Sequence, residues 1–257
     1  MKGGNYMEEN SKKSDTITIR KDTLWKYSTF ALLGVIILMS IFWILPNKSP
    51  TGNVVNEPGN NLPGEGARVE TLDQGDDPVL RNPNAPVTIY EFSDYQCPFC
   101  RKFWQDSYSQ IKEDYIDTGK VKLVFKDFPL SFHPMAVPAA TAANCVQEIA
   151  GDEAYFEFHD KLFEEQNILD GGSVKSTVQF TESDLKAWAK DLGYNIDSCL
   201  ASGKFESEIQ QDFDYGAQNG VQGTPGFLIG NEDNGYVIVS GAQPYSAFKQ
   251  VIDAELN

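Results

Sequence analysis

The chain has 257 residues and a formal net charge of −16, with 21 basic and 37 acidic side chains, two histidines and four cysteines. This acidic balance argues against nucleic-acid binding, which needs a basic surface, and indicates a well-solvated protein surface. So few histidines and cysteines, with only one C-x-x-C pair, also argue against a structural zinc site, which usually takes four such ligands in paired motifs. We predict no metal, no cofactor and no nucleic-acid partner.

An uncharged apolar run, YSTFALLGVIILMSIFWIL, occupies residues 27–45. About 20 apolar residues are enough for a helix to cross a bilayer, so we predict a single transmembrane anchor. A cleaved signal peptide is the alternative, but no small-x-small cleavage site follows the run. Six basic residues precede the run and only Lys48 follows it before Arg68. The positive-inside rule then predicts a cytoplasmic tail at 1–26 and a C-terminal part outside the cytoplasm.

Residues 46–80 are rich in Pro, Gly, Asn and acidic residues and contain few large apolar groups. Such a segment cannot bury enough surface to offset its ordering entropy. We therefore predict a flexible linker at 46–80 that tethers one folded domain at 81–257. In that domain, the sequence APVTIYEFS at 85–93 predicts a buried strand, and Pro98 is well suited to the first position of a following helix.

The remaining elements follow in chain order. A second strand is predicted at 120–128 and a helical block at about 135–218, in which TESDLKAWAKDLG is the clearest helix, capped by Thr181 and Asp184. Two strands at 225–230 and 236–241, joined by the turn signal NEDNG, predict an antiparallel hairpin before a C-terminal helix. This order predicts an α/β fold with an inserted helical domain.

The stretch YEFSDYQCPFCRKFW at 90–104 places two cysteines three positions apart at the expected start of the first helix. Unpaired N–H groups and the helix dipole favour negative charge there, which predicts a lowered thiol pKa and a nucleophilic thiolate for Cys97. We expect Cys97 to be exposed and Cys100, one turn further along, to be shielded. Cys97 then forms the mixed disulfide with a partner, and Cys100 resolves it.

Two further features remain open from the residues alone. Glu91 lies on the strand before the cysteines, either beneath the active site, as a proton relay for Cys100, or at an exposed strand edge. Pro225 in VQGTPGFLIG begins a strand. A cis Thr224–Pro225 bond would present a backbone edge to a substrate peptide, although a trans proline is the commoner case.

Four stretches, FSDYQCPFCRKF, KLVFKDFPLSFHPMA, GVQGTPGFLIG and SGAQPYSAFKQVID, resemble the DsbA-like thiol–disulfide oxidoreductases of the thioredoxin superfamily. The resemblance covers about residues 77–256 and is nearest to the membrane-anchored branch of bacteria and archaea. It implies a thioredoxin fold with an inserted helical domain. It also implies that Cys97 is the nucleophile, Cys100 the resolving thiol, Glu91 the buried acid and Thr224–Pro225 the cis-proline pair.

The chain departs from the strongly oxidising family archetype between its cysteines, where Pro98 and Phe99 stand in place of Pro-His. Phe adds neither a hydrogen-bond donor nor positive charge. We therefore expect the thiolate of Cys97 to be less stabilised, and the disulfide less oxidising, than in the archetype. Pro98 and Phe99 are predicted to line the substrate surface.

The other two cysteines, Cys145 and Cys199, both lie in the helical insertion. Two free buried thiols are one interpretation, because Cys packs well as a small hydrophobe. A structural disulfide is the other, and it is the interpretation that the resemblance implies. We interpret His133 and His159 as packing or surface residues and assign neither a catalytic role.

The favoured function is that of a membrane-tethered oxidase that donates its disulfide to unfolded or reduced secreted and membrane proteins. A membrane redox partner, either DsbB-like or a vitamin K epoxide reductase homologue, is expected to reoxidise it. A reductase or isomerase fed by a membrane electron donor is the second hypothesis. A copper-handling module or a peptide-binding chaperone is the third. It is less favoured because copper sites in this fold typically use C-x-x-x-C, and a chaperone needs no dithiol.

Overall fold

A computed structural model of the protein describes residues 68–174 and 176–257. Five strands form one sheet, with the spatial order β1-β3-β2-β4-β5. Their bounds are β1 Val79–Leu80, β2 Val87–Ser93, β3 Val121–Asp127, β4 Gly226–Asn231 and β5 Gly235–Ser240. The central pair β2–β3 is parallel, and every other pair in this sheet is antiparallel, including the predicted β4–β5 hairpin.

Helix α1 connects the two parallel strands, as a parallel pair requires. It starts at Pro98 and runs through four consecutive segments: α-helical Pro98–Phe103, π-helical Trp104–Tyr108, α-helical Ser109–Ile111 and π-helical Lys112–Ile116. The five helices described between β3 and β4 are α2 Ala136–Ala150, α3 Asp152–Leu169, α4 Glu182–Asp191, α5 Asp197–Ser202 and α6 Glu206–Gln218. Helix α7, Tyr245–Glu255, follows the hairpin.

Aromatic side chains fill the core on both faces of the sheet. On the face covered by α1 and α7, the ring of Phe103 lies 4.6 Å from that of Phe227 and 5.2 Å from that of Phe248. On the opposite face α6 approaches closely, because Gly216 has no Cβ. A Cβ at this position would lie 2.6 Å from the ring of Phe92. The central strands are thus buried on both sides, as is usual for strands paired in parallel.

The helical insertion begins and ends close to the predicted limits, with α2 starting at Ala136 and α6 ending at Gln218. The predicted cap of α4 is confirmed. The Asp184 N–H donates to Thr181 Oγ1, and the Asp184 carboxylate accepts the Thr181 N–H. The two bonds of this capping box therefore satisfy two backbone N–H groups that the helix itself leaves unpaired.

The predicted linker boundary at residue 80 is wrong for the segment from 68 onward. Val79 and Leu80 form β1 and pair with β3. Val69 forms an isolated bridge with Tyr236, and Arg68 forms an ion pair with Glu255 at the other end of the domain. The pairing with β3, the bridge to Tyr236 and the ion pair with Glu255 therefore order this segment, although its composition is polar.

The predicted anchor at 27–45 lies outside the residues that the structure describes. Among those it describes, helices long and apolar enough to cross a membrane are absent.

Candidate active site

The two cysteines lie where β2 passes into α1. Strand β2 ends at Ser93, and a turn closed by a 3.0 Å hydrogen bond from the Cys97 N–H to the Asp94 carbonyl brings Cys97 to the N-cap of α1. Pro98 follows at the first helical position, which suits its fixed φ and missing N–H. Both cysteines are free thiols in the structure.

The two thiols have opposite pKa shifts. Hydrogen bonding with Cys100 is the largest cause that lowers the pKa of Cys97 to about 6, against the opposing effect of burial. The nearby Thr224 side chain and the N–H groups at the helix start lower the pKa further. Burial, together with the negative charge at Cys97, raises the pKa of Cys100 well above its ordinary value. The site therefore holds one thiolate and one thiol near neutral pH.

The exposure predicted for Cys97 is wrong, because this residue is only 3 % exposed and Cys100 is fully buried. The loop that precedes β4 covers Cys97, and the Thr224 carbonyl oxygen accepts a 3.6 Å hydrogen bond from its sulfur. A cysteine at a helix N-terminus is thus almost completely covered here. Sequence position alone did not show this cover, since Thr224 lies 127 positions away.

The Thr224–Pro225 peptide bond is cis. Pro225 immediately precedes β4, and its carbonyl accepts a 2.8 Å hydrogen bond from the Gly241 N–H. The hydroxyl of Thr224 is buried and has no hydrogen-bond partner of its own. It is therefore free to donate to the thiolate of Cys97, in agreement with the lowering effect of this side chain on the pKa of Cys97.

Glu91 lies in the middle of β2, paired in register with Phe125 of β3 and Phe227 of β4. It is 1 % exposed, and neither carboxyl oxygen has a hydrogen-bond partner. Burial raises its pKa to about 7, partly offset by the nearby His159. A carboxyl in this state can accept or release a proton near neutral pH.

The residues between the cysteines differ in exposure. Phe99 is 58 % exposed and Pro98 is partly exposed, so both reach the surface next to Cys97. Phe132, which the sequence interpretation did not single out, is 72 % exposed and lies against the ring of His133 at a centroid distance of 4.6 Å. The stretch SFHP could have indicated this exposure, because it places a large apolar residue in a loop, two positions before a proline.

Cys145 and Cys199 form a disulfide that joins α2 to α5, with a Cα–Cα distance of 5.9 Å. Cys145 is fully buried and Cys199 packs at the edge of the same core. The bridge lies within the insertion and belongs to neither the dithiol nor the loop of Thr224.

Two charged residues around the dithiol were missed by sequence reasoning. Arg101 is 1 % exposed and forms an ion pair with Asp170, with further hydrogen bonds to carbonyl groups of Gln166, Ser173 and Ser176. It thereby fastens the loop after α3 to α1. Asp94 is also buried, and its contact with His133 joins the active-site turn to the segment after β3. Neither contact has a local sequence signal, because each joins distant parts of the chain.

A buried C-x-x-C dithiol at the start of the first helix, faced by a cis-proline loop, defines a thiol–disulfide oxidoreductase of the thioredoxin fold. In agreement, the Thioredoxin family model matches residues 73–254, and the chain belongs to this family. It is 29 % identical over 188 residues to disulfide bond formation protein D of Bacillus subtilis (strain 168), covering 70 % of this chain and 77 % of that protein.

Solved structures show the same relationship. The oxidised form of BdbD from Bacillus subtilis matches with a TM-score of 0.62 and 28 % identity, covering 76 % of this chain and 99 % of that one. Wolbachia pipientis α-DsbA1 matches with a TM-score of 0.59 and 26 % identity, covering 71 % of this chain and 92 % of that one. The protein is therefore a DsbA-like protein thiol–disulfide oxidoreductase, with the thioredoxin fold and helical insertion that the sequence predicts.

Proposed function

We propose that the protein works outside the cytoplasm as an oxidase that donates the Cys97–Cys100 disulfide to reduced secreted or membrane proteins. The contrast between the two thiols is the observation that carries this proposal. A Cys97 sulfur that is stable as a thiolate, with a pKa of about 6, is a good leaving group. Stabilising the thiolate favours the reduced enzyme, and therefore favours transfer of the disulfide to the substrate.

The exchange proceeds in two steps. A substrate thiolate attacks Cys97 Sγ, which forms a mixed disulfide and breaks the Cys97–Cys100 bond, and Cys100 leaves with the electron pair. Cys100 then takes up a proton, which the raised pKa of this thiol favours, and the buried carboxyl of Glu91 relays it. A second substrate thiolate attacks the substrate sulfur of the mixed disulfide. This releases Cys97 as a thiolate, and the two electrons remain on the enzyme's dithiol.

The surface around Cys97 suits an extended peptide substrate. The cis Thr224–Pro225 loop offers its backbone edge beside the nucleophile, where the Thr224 carbonyl already contacts the sulfur. Pro98 and the exposed Phe99, which follow Cys97 in the chain, offer apolar contact area. An unfolded chain supplies both a free backbone edge and exposed apolar side chains, whereas a folded protein supplies few of either.

Substitution of each cysteine tests this mechanism. Cys97→Ser is expected to abolish oxidation of a reduced, unfolded substrate. Cys100→Ser, given a substrate that already carries a disulfide, is expected to attack it through Cys97 and accumulate mixed disulfides that reducing agent releases. In this mechanism Cys97 forms the intermolecular bond, since Cys100 is fully buried. Full dithiol exchange by Cys97→Ser would contradict the mechanism, whichever direction the electrons take.

The direction of electron flow depends on the potential of the couple. We expect a value between those of thioredoxin and the strongly oxidising DsbA, between about −270 and −120 mV. Equilibration with glutathione measures it. A value at or below that of thioredoxin would favour the reductase or isomerase function, in which a membrane electron donor keeps the dithiol reduced.

The proposed setting is the outer side of the cell membrane, with residues 27–45 as an anchor and 1–26 in the cytoplasm. The uncharged run and its basic N-terminal flank support this topology. A DsbB-like protein or a vitamin K epoxide reductase homologue would reoxidise the dithiol there. Protease added to spheroplast-like cells is expected to release a soluble fragment that begins between 46 and 67. A mature N-terminus just after residue 45 without added protease would instead indicate a cleaved signal peptide.

A further inference from the structure

The active-site turn contains a buried negative charge that the exchange mechanism does not use. The side chain of Asp94 is fully buried, three residues before Cys97 in the chain. Its carbonyl accepts the N–H of Cys97, and its own N–H donates to the sulfur of Cys100 at 3.4 Å. This negative charge acts on the dithiol, since it is one of the causes that raise the pKa of Cys100. Left uncompensated, it would disfavour a thiolate at Cys97.

The side chain that can compensate this charge lies on the segment after β3. His133 Nδ1 lies 2.7 Å from Asp94 Oδ2, and the imidazole is only 4 % exposed. Three hydrogen bonds fasten this segment to the active-site turn. The N–H of Leu130 and the ring of His133 both bond to Asp94, and the N–H of Met135 donates to the Gln96 side chain. The histidine is thus held in place on the turn that carries Cys97.

Other charged groups around the nucleophile do not take the place of the His133 imidazole beside Asp94. The residues between the cysteines, Pro98 and Phe99, carry no charge. Arg101 senses the charge at Cys97, but its guanidinium is already paired with the carboxylate of Asp170. Among the described residues, the titratable groups that face the dithiol on this side are therefore Asp94, His133 and Arg101 with its partner.

We propose that His133 is a positioning residue that neutralises Asp94 and so stabilises the thiolate of Cys97 by its positive charge. The contact with Asp94 raises the pKa of His133, and the negative charge at Cys97 raises it further. Protonation of the imidazole and ionisation of the thiol therefore favour each other. This inference rests on the proposed role of Cys97 as the nucleophile, but not on the direction of electron transfer.

A set of charge variants of the full chain tests the proposal, with the thiolate of Cys97 followed by its ultraviolet absorbance during a pH titration of the reduced protein. His133→Gln removes the cation but leaves Asp94, so the midpoint is expected to rise by about half to one pH unit. The double variant Asp94→Asn with His133→Gln removes both charges. Its midpoint is expected to return most of the way to the wild-type value, because the net charge at the turn is again zero.

A matched control is Thr177→Val. The hydroxyl of Thr177 lies 3.4 Å from His133 Nε2, on the side of the ring away from the Asp94 contact, and it carries no charge. This variant disturbs the surroundings of the imidazole but leaves the ion pair, so the midpoint is expected to stay at the wild-type value. A purely structural role for His133 would instead predict that the double variant is affected at least as much as the single one.

A second measurement needs no substitution and remains valid if a variant fails to fold. The chain has only two histidines, so the imidazole signals of His133 and His159 can be followed by nuclear magnetic resonance. The midpoint of His133 is expected to be higher in the reduced protein, which holds the Cys97 thiolate, than in the oxidised protein, which does not. The same midpoint in both states, or an unchanged thiolate midpoint in a folded His133→Gln variant, would overturn the proposal.

These outcomes are separate from those that test the proposed function. If His133→Gln leaves the thiolate unchanged while Cys97→Ser abolishes exchange, the role of His133 fails and the enzymatic mechanism stands. If wild-type Cys97 titrates as an ordinary thiol, the assignment of Cys97 as an activated nucleophile fails as well.

Discussion

The carbonyl oxygen of Thr224 lies 3.6 Å from the sulfur of Cys97, although 127 positions separate the two residues. The hydroxyl of the same threonine is buried without a partner. One residue therefore offers the sulfur an acceptor when it is a thiol and a donor when it is a thiolate. This contact makes the loop before β4 part of the nucleophile's environment as well as a surface for substrate.

Thr224→Val removes the donor but keeps the carbonyl and the shape of the side chain. We expect the thiolate midpoint of Cys97 to rise and the turnover and release of substrate to change, while both thiols remain intact. Stopped-flow oxidation of a reduced peptide, with the ultraviolet thiolate titration, measures both effects. Thr118→Val is the matched control, because the Thr118 hydroxyl bonds only to carbonyls within α1. Equal effects in the two variants would count against a specific role for Thr224.

Glu91 is expected to make the protein less stable at neutral pH. Its folded-state pKa is raised to about 7 from an ordinary value of 4.5. The native state therefore keeps a proton that the unfolded chain loses. The free energy of unfolding is therefore unaffected by this group below pH 4.5, and it falls as the pH rises from 4.5 through 7. Glu91→Gln should be more stable than wild type by up to about 3 kcal/mol at neutral pH.

Denaturant unfolding of Glu91→Gln and wild type between pH 4 and pH 8 measures this difference, which should vanish at the acid end. The exposed Glu113→Gln is a control for the loss of one carboxylate. The oxidised form of the same Glu91 variant should form mixed disulfides with a reduced substrate more slowly, because Cys100 loses the relay for the proton that it takes up on leaving. A Glu91→Gln protein that is no more stable than wild type at neutral pH would show that the carboxyl is ionised in the native state.

In the reduced protein, Cys97 should contribute stability that grows as the pH rises above 6. The folded-state pKa of Cys97 is lowered to about 6 from 9.0, so between these values the native state holds a thiolate and the unfolded chain holds a thiol. The gain is about 1.4 kcal/mol per pH unit in this window. It is lost as the pH falls through 6.

Unfolding of mildly reduced wild type and Cys97→Ser at a series of pH values isolates this contribution, since the effect of Glu91 is common to both proteins. Thiol counting must first show that the Cys145–Cys199 bridge survives the reduction. A constant difference between the two proteins from pH 6 to pH 8 would mean that the thiolate is not stabilised by the fold.

The Cys145–Cys199 bridge closes a loop with a sequence separation of 54. In the chain-entropy model a loop of this size contributes about 4 kcal/mol. Replacing both cysteines by Ala should lower the free energy of unfolding by roughly this amount and leave the thiolate titration of Cys97 unchanged. Thiol counting on denatured Cys97→Ser/Cys100→Ser protein should find no free sulfhydryl. Two free sulfhydryls would mean that the bridge is absent in solution.

The sequence predicted the parts of the fold that have local signals. The end of β2 and the start of α1 at Pro98 follow from an apolar run, a turn and a helix-starting proline. Strand β1 was missed because two residues in a polar segment have no periodicity, and only pairing with β3 makes them a strand. The π-helical segments of α1 were missed for a similar reason, since their extra residue per turn is a matter of packing rather than composition.

The active site shows the same division. Cys97 and Cys100 were evident from their spacing, whereas the cover over Cys97 depends on Thr224 at the other end of the domain. The contact between Asp94 and His133 joins residues 39 positions apart and needs the chain to return from β3 to the turn after β2. A lone histidine in a sequence gives no indication of such a partner, and packing was the reasonable interpretation.

The bridge between α2 and α5 means that this thiol–disulfide oxidoreductase itself has to acquire a disulfide in order to mature. Cys145 has no exposed surface in the folded protein, so its bond with Cys199 has to form while the insertion is still open. Each newly made copy therefore has to pass two electrons from this cysteine pair to an oxidant before the insertion closes. Production in a reducing cytoplasm should give a chain without this bond. Counting the free thiols of a preparation would show this defect, whereas an activity measurement alone would not.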